Sequence, residues 1–191
     1  MERGYGANYI KAFGVANTLT LLRMFLIPIF VISSVYGYHK AAFYTFVIAG
    51  ITDFLDGFIA RYTKNITDVG KILDPMADKV MLISIYVVLS LKSIGNLNHV
   101  PVWLTLLVIF RDVFIAIGGV IIFFTKDVNA ILPSIYGKLS TVVQIVGASI
   151  ILYCNAYSIK FEYLDELVYI IGFFTLLSGV MYLVKGVRSV I

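Results

Sequence analysis

Four carboxylates, Asp53, Asp56, Asp74 and Asp78, lie in the run TDFLDGFIARYTKNITDVGKILDPMAD, residues 52–78, within the ends of two hydrophobic segments. A bilayer would make each of them expensive, so they call for a compensating cation. On helices, Asp53, Asp56 and Ala60 are spaced i, i+3, i+7, and Gly70, Asp74 and Asp78 are spaced i, i+4, i+8, so each set forms one stripe. Two acidic stripes facing each other make a cation cage. Its donors are hard oxygens without histidine or cysteine nearby, which favours Mg2+ or Mn2+ over zinc. Gly57, Ala60 and Gly70 let a ligand approach the backbone closely, and Arg61 offers a guanidinium fork suited to phosphate. Together these residues point to a pyrophosphate ligand. Two metal ions would clamp the attacking and leaving oxygens of a phosphoryl transfer, and one remaining carboxylate would take a proton.

Other chemistries fit the same residues less completely. A calcium loop of the EF-hand type alternates its ligands within one loop, whereas these aspartates fall on two helices. An ion or proton transporter would explain intramembrane carboxylates, but not the small residues among them, and no second acidic segment repeats residues 53–78. A buried structural cluster would leave four carboxylates without a cation. His39 and His99 fall in outer loops, and Cys154 in an apolar run reads as packing.

The elements that must position the cage are transmembrane helices. The 191 residues are 60% hydrophobic and 14% charged, far from a soluble composition, and the mean hydropathy is +0.95. A net charge of +4 is too small to argue for nucleic acid and fits basic membrane flanks. About 20 apolar residues cross a bilayer as helix, and six stretches qualify: 18–37, 41–61, 71–91, 101–125, 135–157 and 164–187. Short polar connections join them, so the expected fold is an all-α bundle of six transmembrane helices in a single domain, 1–191. Residues 1–16 are expected to form an uncleaved juxtamembrane helix at the interface. With the amino terminus in the cytoplasm, nine basic residues fall inside and only Lys40, Lys92 and Lys160 outside, which puts the cage at the cytoplasmic side. Arg23, Lys79 and Arg111 remain within spans. Lys79 is as easily a counter-ion of a cage aspartate as a ligand-binding residue, while for Arg111 a substrate anion is expected ahead of a carboxylate in its own neighbourhood.

At every defined position residues 53–78 match the signature D-x2-D-G-x2-A-R-x8-G-x3-D-x3-D, and the chain thereby resembles the CDP-alcohol phosphotransferase family. The resemblance extends to six spans with the motif across the second and third. It implies that an alcohol hydroxyl attacks the β-phosphorus of a CDP-linked lipid and releases CMP. By position, Asp53, Asp56 and Asp74 would bind the metals, and Asp78 would bind metal and act as base. Gly57, Ala60 and Gly70 would accommodate the cytidine nucleotide, Asp56 would also lie against it, and Arg61 would hold its pyrophosphate. The resemblance also implies a homodimer among membrane lipids, in a bacterial inner (cytoplasmic) membrane.

The acceptor is expected to be anionic. Ala16 to Arg23 followed by Ile27-Pro28, then Leu73 to Lys79, and Pro133-Ser134 with Gly137-Lys138, Thr141 and Gln144, resemble the branch that joins CDP-diacylglycerol to glycerol 3-phosphate. Arg111, Lys138 and Arg23 are the expected acceptor-binding cations, and Tyr136 lies beside Lys138. Many members of that branch carry Arg-Glu where this chain has Arg111-Asp112, and an arginine where it has Gly119. Arg111-Asp112-Val113 also resembles the cardiolipin synthases, whose acceptor is phosphatidylglycerol.

Overall fold

A computed structural model describes residues 15–63, 68–125 and 135–188; residues 1–14, most of the expected lead-in helix, lie outside them. Among the described residues the chain is all helical: α1 (Val15–Val35), α2 (His39–Thr63), α3 (Asp68–Ser90), α4 (Val102–Thr125), α5 (Ile135–Ala156) and α6 (Leu164–Arg188), with a 3-10 turn over Lys92–Ile94. These match the six expected apolar stretches, with ends shifted by a few residues. α5 over Ile135–Ala156 and α6 over Leu164–Val184 are long and apolar enough to cross a bilayer, while the apolar part of α1, Thr20–Val35, is shorter.

The helices divide into two units, Met1–Val88 and Leu89–Ile191. In the first, α1 and α2 form an antiparallel hairpin through a three-residue connection. α1 ends in a Schellman cap: Tyr38 N–H donates to the Ser33 carbonyl (2.8 Å) and Gly37 N–H to that of Ser34 (3.0 Å). Gly37 sits at φ +77°, where a side chain would be strained. The buried stripe of α1 is Thr20, Arg23, Ile27, Phe30 and Ser34, and that of α2 is Ala42, Thr45, Ala49 and Thr52. Small residues on α2 let the two backbones approach. On α3, Ala77, Met81, Ile85 and Val88 form the buried stripe. Phe25, Ile32 and Phe54 point outward and are more than half exposed. Polar groups inside and large apolar groups outside suit a lipid surround.

In the second unit α6 packs on both α4 and α5. The approach to α5 is close at Gly147, where a Cβ would lie 2.5 Å from Ile171 Cδ1. Inside, Gln144 Nε2 donates to Thr175 Oγ1 (2.9 Å), and Thr175 passes its own proton to the Ile171 carbonyl (2.7 Å). α5 ends like α1, with Ile159 N–H on the Cys154 carbonyl (2.8 Å), but the left-handed position is Ser158, at φ 54°.

Two buried asparagines staple the end of this unit. Asn98 donates from its backbone N–H (2.8 Å) and from Nδ2 (3.1 Å) to Asn155 Oδ1, and Asn155 Nδ2 returns a bond to the Asn98 carbonyl (2.9 Å). Asn98 also donates to the Ile159 carbonyl (2.7 Å) and accepts from Phe161 N–H (2.8 Å). Asn98→Ala strands several of these groups and should lower stability by about 2–4 kcal/mol, read as a drop in thermal unfolding temperature.

Candidate active site

The buried stripe of α1 aims Arg23 inward, Asp53 follows the buried Thr52 on α2, and Asp78 follows the buried Ala77 on α3. The three side chains meet. Arg23 Nη2 makes an ion pair with Asp53 Oδ1 at 2.8 Å, at an angle outside hydrogen-bond geometry, and Arg23 Nη1 donates to Asp78 Oδ1. The first and last aspartates of the signature therefore converge on one guanidinium. The arginine side chain is 2% exposed, whereas Asp53 is 54% and Asp78 49% exposed. The cation forms the floor, and both carboxylates keep an open side. One positive charge against two negative leaves the trio with net negative charge, and so attractive to a further cation.

The side chains of Asp56, Arg61 and Asp74, and the surroundings of Gly57, Ala60 and Gly70, lie outside the described ones. Their backbone belongs to α2 and α3, so the helical spacing that puts each set on one stripe holds. Lys79 is part-buried on α3. Arg23, expected among the acceptor-binding cations, pairs with both Asp53 and Asp78. The sequence signal for its role was its place on a stripe with Thr20, Ile27 and Phe30.

In the second unit Arg111 is also buried, and its donors are engaged. Nη1 donates to Asp112 Oδ1 (2.6 Å), Nη2 to the Gly137 carbonyl (3.1 Å) and Ser178 Oγ (2.8 Å), and Nε to Ser178 Oγ (3.2 Å). This fork ties α4 to α6 and to the first turn of α5, which carries Lys138 and Tyr136, both exposed. Asp112 and Ser178 went unassigned in the sequence, where only the adjacency of Asp112 hinted at a pair. Asp112→Asn leaves the buried guanidinium without its counter-charge and should destabilise the unit by about 3–5 kcal/mol. Thermal unfolding checks this, and an unchanged midpoint would contradict the pairing.

Residues 13–182 match the sequence model of the CDP-alcohol phosphatidyltransferase family. The chain belongs to that family. Among its relatives, a Bacillus subtilis (strain 168) protein named CDP-diacylglycerol–glycerol-3-phosphate 3-phosphatidyltransferase is 30% identical over 191 aligned residues, covering 91% of this chain and 95% of its own. A protein of the same name from Aquifex aeolicus (strain VF5) is 32% identical over 178, covering 92% and 97%. A probable phosphatidylglycerophosphate synthase of Mycobacterium tuberculosis (strain CDC 1551 / Oshkosh) is 33% identical over 153, covering 76% and 69%.

Proposed function

We propose that this chain transfers the phosphatidyl group of CDP-diacylglycerol to glycerol 3-phosphate, giving phosphatidylglycerophosphate and CMP. The observation that carries the reading is the convergence of Asp53 and Asp78 at the two ends of the family signature, in a chain whose family match runs over residues 13–182. The names of the Bacillus and Aquifex relatives support glycerol 3-phosphate as acceptor.

The donor set fits a hard divalent cation: two part-open carboxylates already turned toward positive charge, with Asp56 and Asp74 on the same helical stripes. Asp53, Asp56, Asp74 and Asp78 would hold Mg2+ or Mn2+, as two ions. Bound there, they supply Lewis acidity that polarises the phosphoryl oxygens and acidifies the acceptor hydroxyl. The chain does the rest. Arg61 grips the pyrophosphate, Gly57, Ala60 and Gly70 leave room for the cytidine nucleotide, and Asp56 flanks it. Asp78 takes the proton from the acceptor hydroxyl as its oxygen bonds to the β-phosphorus and the bond to CMP breaks. Lys138, exposed on the first turn of α5, supplies positive charge for the acceptor's phosphate, and Arg111, bonded to Asp112, Ser178 and the Gly137 carbonyl, holds that turn in place.

The same reading has six membrane spans in one domain, residues 1–16 at the interface, and the cage at the cytoplasmic face of a bacterial inner membrane. It also has a homodimer. The apolar α5 and α6 and the outward-facing phenylalanines favour the membrane setting.

One observation favours a second acceptor. Because Asp112 balances Arg111, the unit offers less free positive charge than two cations would, which suits the singly charged phosphodiester of phosphatidylglycerol. Purified protein with CDP-diacylglycerol and Mg2+ should release CMP when glycerol 3-phosphate is added and not when phosphatidylglycerol is. The reverse would move the chain to cardiolipin synthesis. Ion flux through proteoliposomes with no nucleotide turnover would remove it from the transferases.

A further inference from the structure

We propose that Arg23 is a positioning residue: a resident counter-ion that orders Asp53 and Asp78 in the absence of metal and that a divalent cation can replace in charge. This rests on the reading above that the carboxylates hold such a cation.

Three observations carry it. Arg23 comes from a third helix, α1, which holds none of the signature residues, and its side chain is 2% exposed, so its position is fixed by packing. It meets one oxygen of each carboxylate, Oδ1 of Asp78 through a hydrogen bond from Nη1 and Oδ1 of Asp53 through an ion pair at Nη2, so one cation draws the two acids together. Its Nε and Nη2, both buried, have no hydrogen-bond partner among the described residues. The carboxylate pair is therefore what compensates the buried charge.

The consequence follows from charge balance. Two like charges on neighbouring helices repel, and a buried guanidinium without a partner is strongly unfavourable, so each side stabilises the other only while both are present. With Arg23 in place the empty cage is ordered before a divalent ion arrives. Without it, Asp53 and Asp78 lose the cation that bridges α2 and α3, a charge that a divalent ion can restore. The stability of an Arg23 variant should then depend on metal far more than that of the wild type.

The test compares thermal unfolding of purified wild type, Arg23→Gln and Arg23→Lys in detergent, each in EDTA and in Mg2+ or Mn2+. Wild type should gain a few degrees from metal. Arg23→Gln should lose about 10 °C in EDTA and recover most of it with metal, widening the gap between the two conditions at least twofold. Arg23→Lys, a point charge that serves one carboxylate well, should fall between. Asp53→Asn combined with Arg23→Gln should be more stable in EDTA than Arg23→Gln alone, because the repulsion is gone. If Arg23→Gln cannot be purified without metal, exchange into EDTA from Mn2+ and the lysine variant give the same comparison.

An Arg23→Gln loss that is equal in EDTA and in metal would overturn the proposal in favour of a simple helix staple. So would an unchanged gap with a raised KM for glycerol 3-phosphate, the mark of an acceptor ligand. If the wild type itself shows no thermal response to Mg2+ or Mn2+, the metal reading of the carboxylates fails first, and this proposal with it.

Discussion

Asp78→Asn should release CMP from CDP-diacylglycerol at least about a thousandfold more slowly than the wild type, at saturating acceptor and Mg2+. Loss of a positioned general base costs about 10²–10⁴ in rate, and here the same side chain is also proposed to hold metal. The substitution keeps the shape of the residue and one oxygen that can accept from Arg23 Nη1. Asp53 still pairs with Arg23, so folding should survive, and a thermal midpoint measured beside the rate separates lost chemistry from lost structure. Asp53→Asn should lose less, since on this proposal it removes a metal ligand but not the base. Full activity in Asp78→Asn would end the assignment of the base.

Removing divalent metal is the second large effect expected. EDTA should abolish CMP release, and Mg2+ or Mn2+ should restore it. Both steps follow from the proposed holding of metal by four aspartates, whose carboxylate oxygens prefer small, hard cations. Ca2+, larger and satisfied with looser coordination, should compete without restoring turnover. Activity that persists after exhaustive chelation would contradict the metal role of all four aspartates together. Restoration by Zn2+ alone would contradict the donor chemistry.

Much of this was legible in the sequence, for physical reasons that can be named. The six helices show because each apolar run is bounded by polar or turn residues, and the helix ends at Val35 and Ser90 fall within two residues of the spans read from hydropathy. α1 runs through Pro28 without ending, which the apolar run gave and the proline alone would not have. Asp53 and Asp78 were recognisable as partners because the signature fixes both helix phases. What the sequence could not supply was tertiary. Helical spacing says which residues share a face, but not which faces meet. For that reason the meeting of Arg23 with Asp53 and Asp78 does not show in the spacing. Arg111 and Asp112 are adjacent, and adjacent positions on a helix do not face each other; only the long arginine stem, turned toward Ser178 on α6, brings them together. Ser158 in the left-handed cap of α5 was equally hidden, because serine does not advertise that conformation as Gly37 does.

The central claim is attack by an acceptor hydroxyl on the phosphorus that carries diacylglycerol. It is tested most directly by incubating the purified protein, Mg2+ and glycerol 3-phosphate with CDP-diacylglycerol labelled with 32P at that phosphorus. The expected result is label in phosphatidylglycerophosphate, with one unlabelled CMP formed for each lipid product. Labelled phosphatidate, accompanied by a cytidylyl ester of glycerol phosphate, would place the attack on the other phosphorus and contradict it.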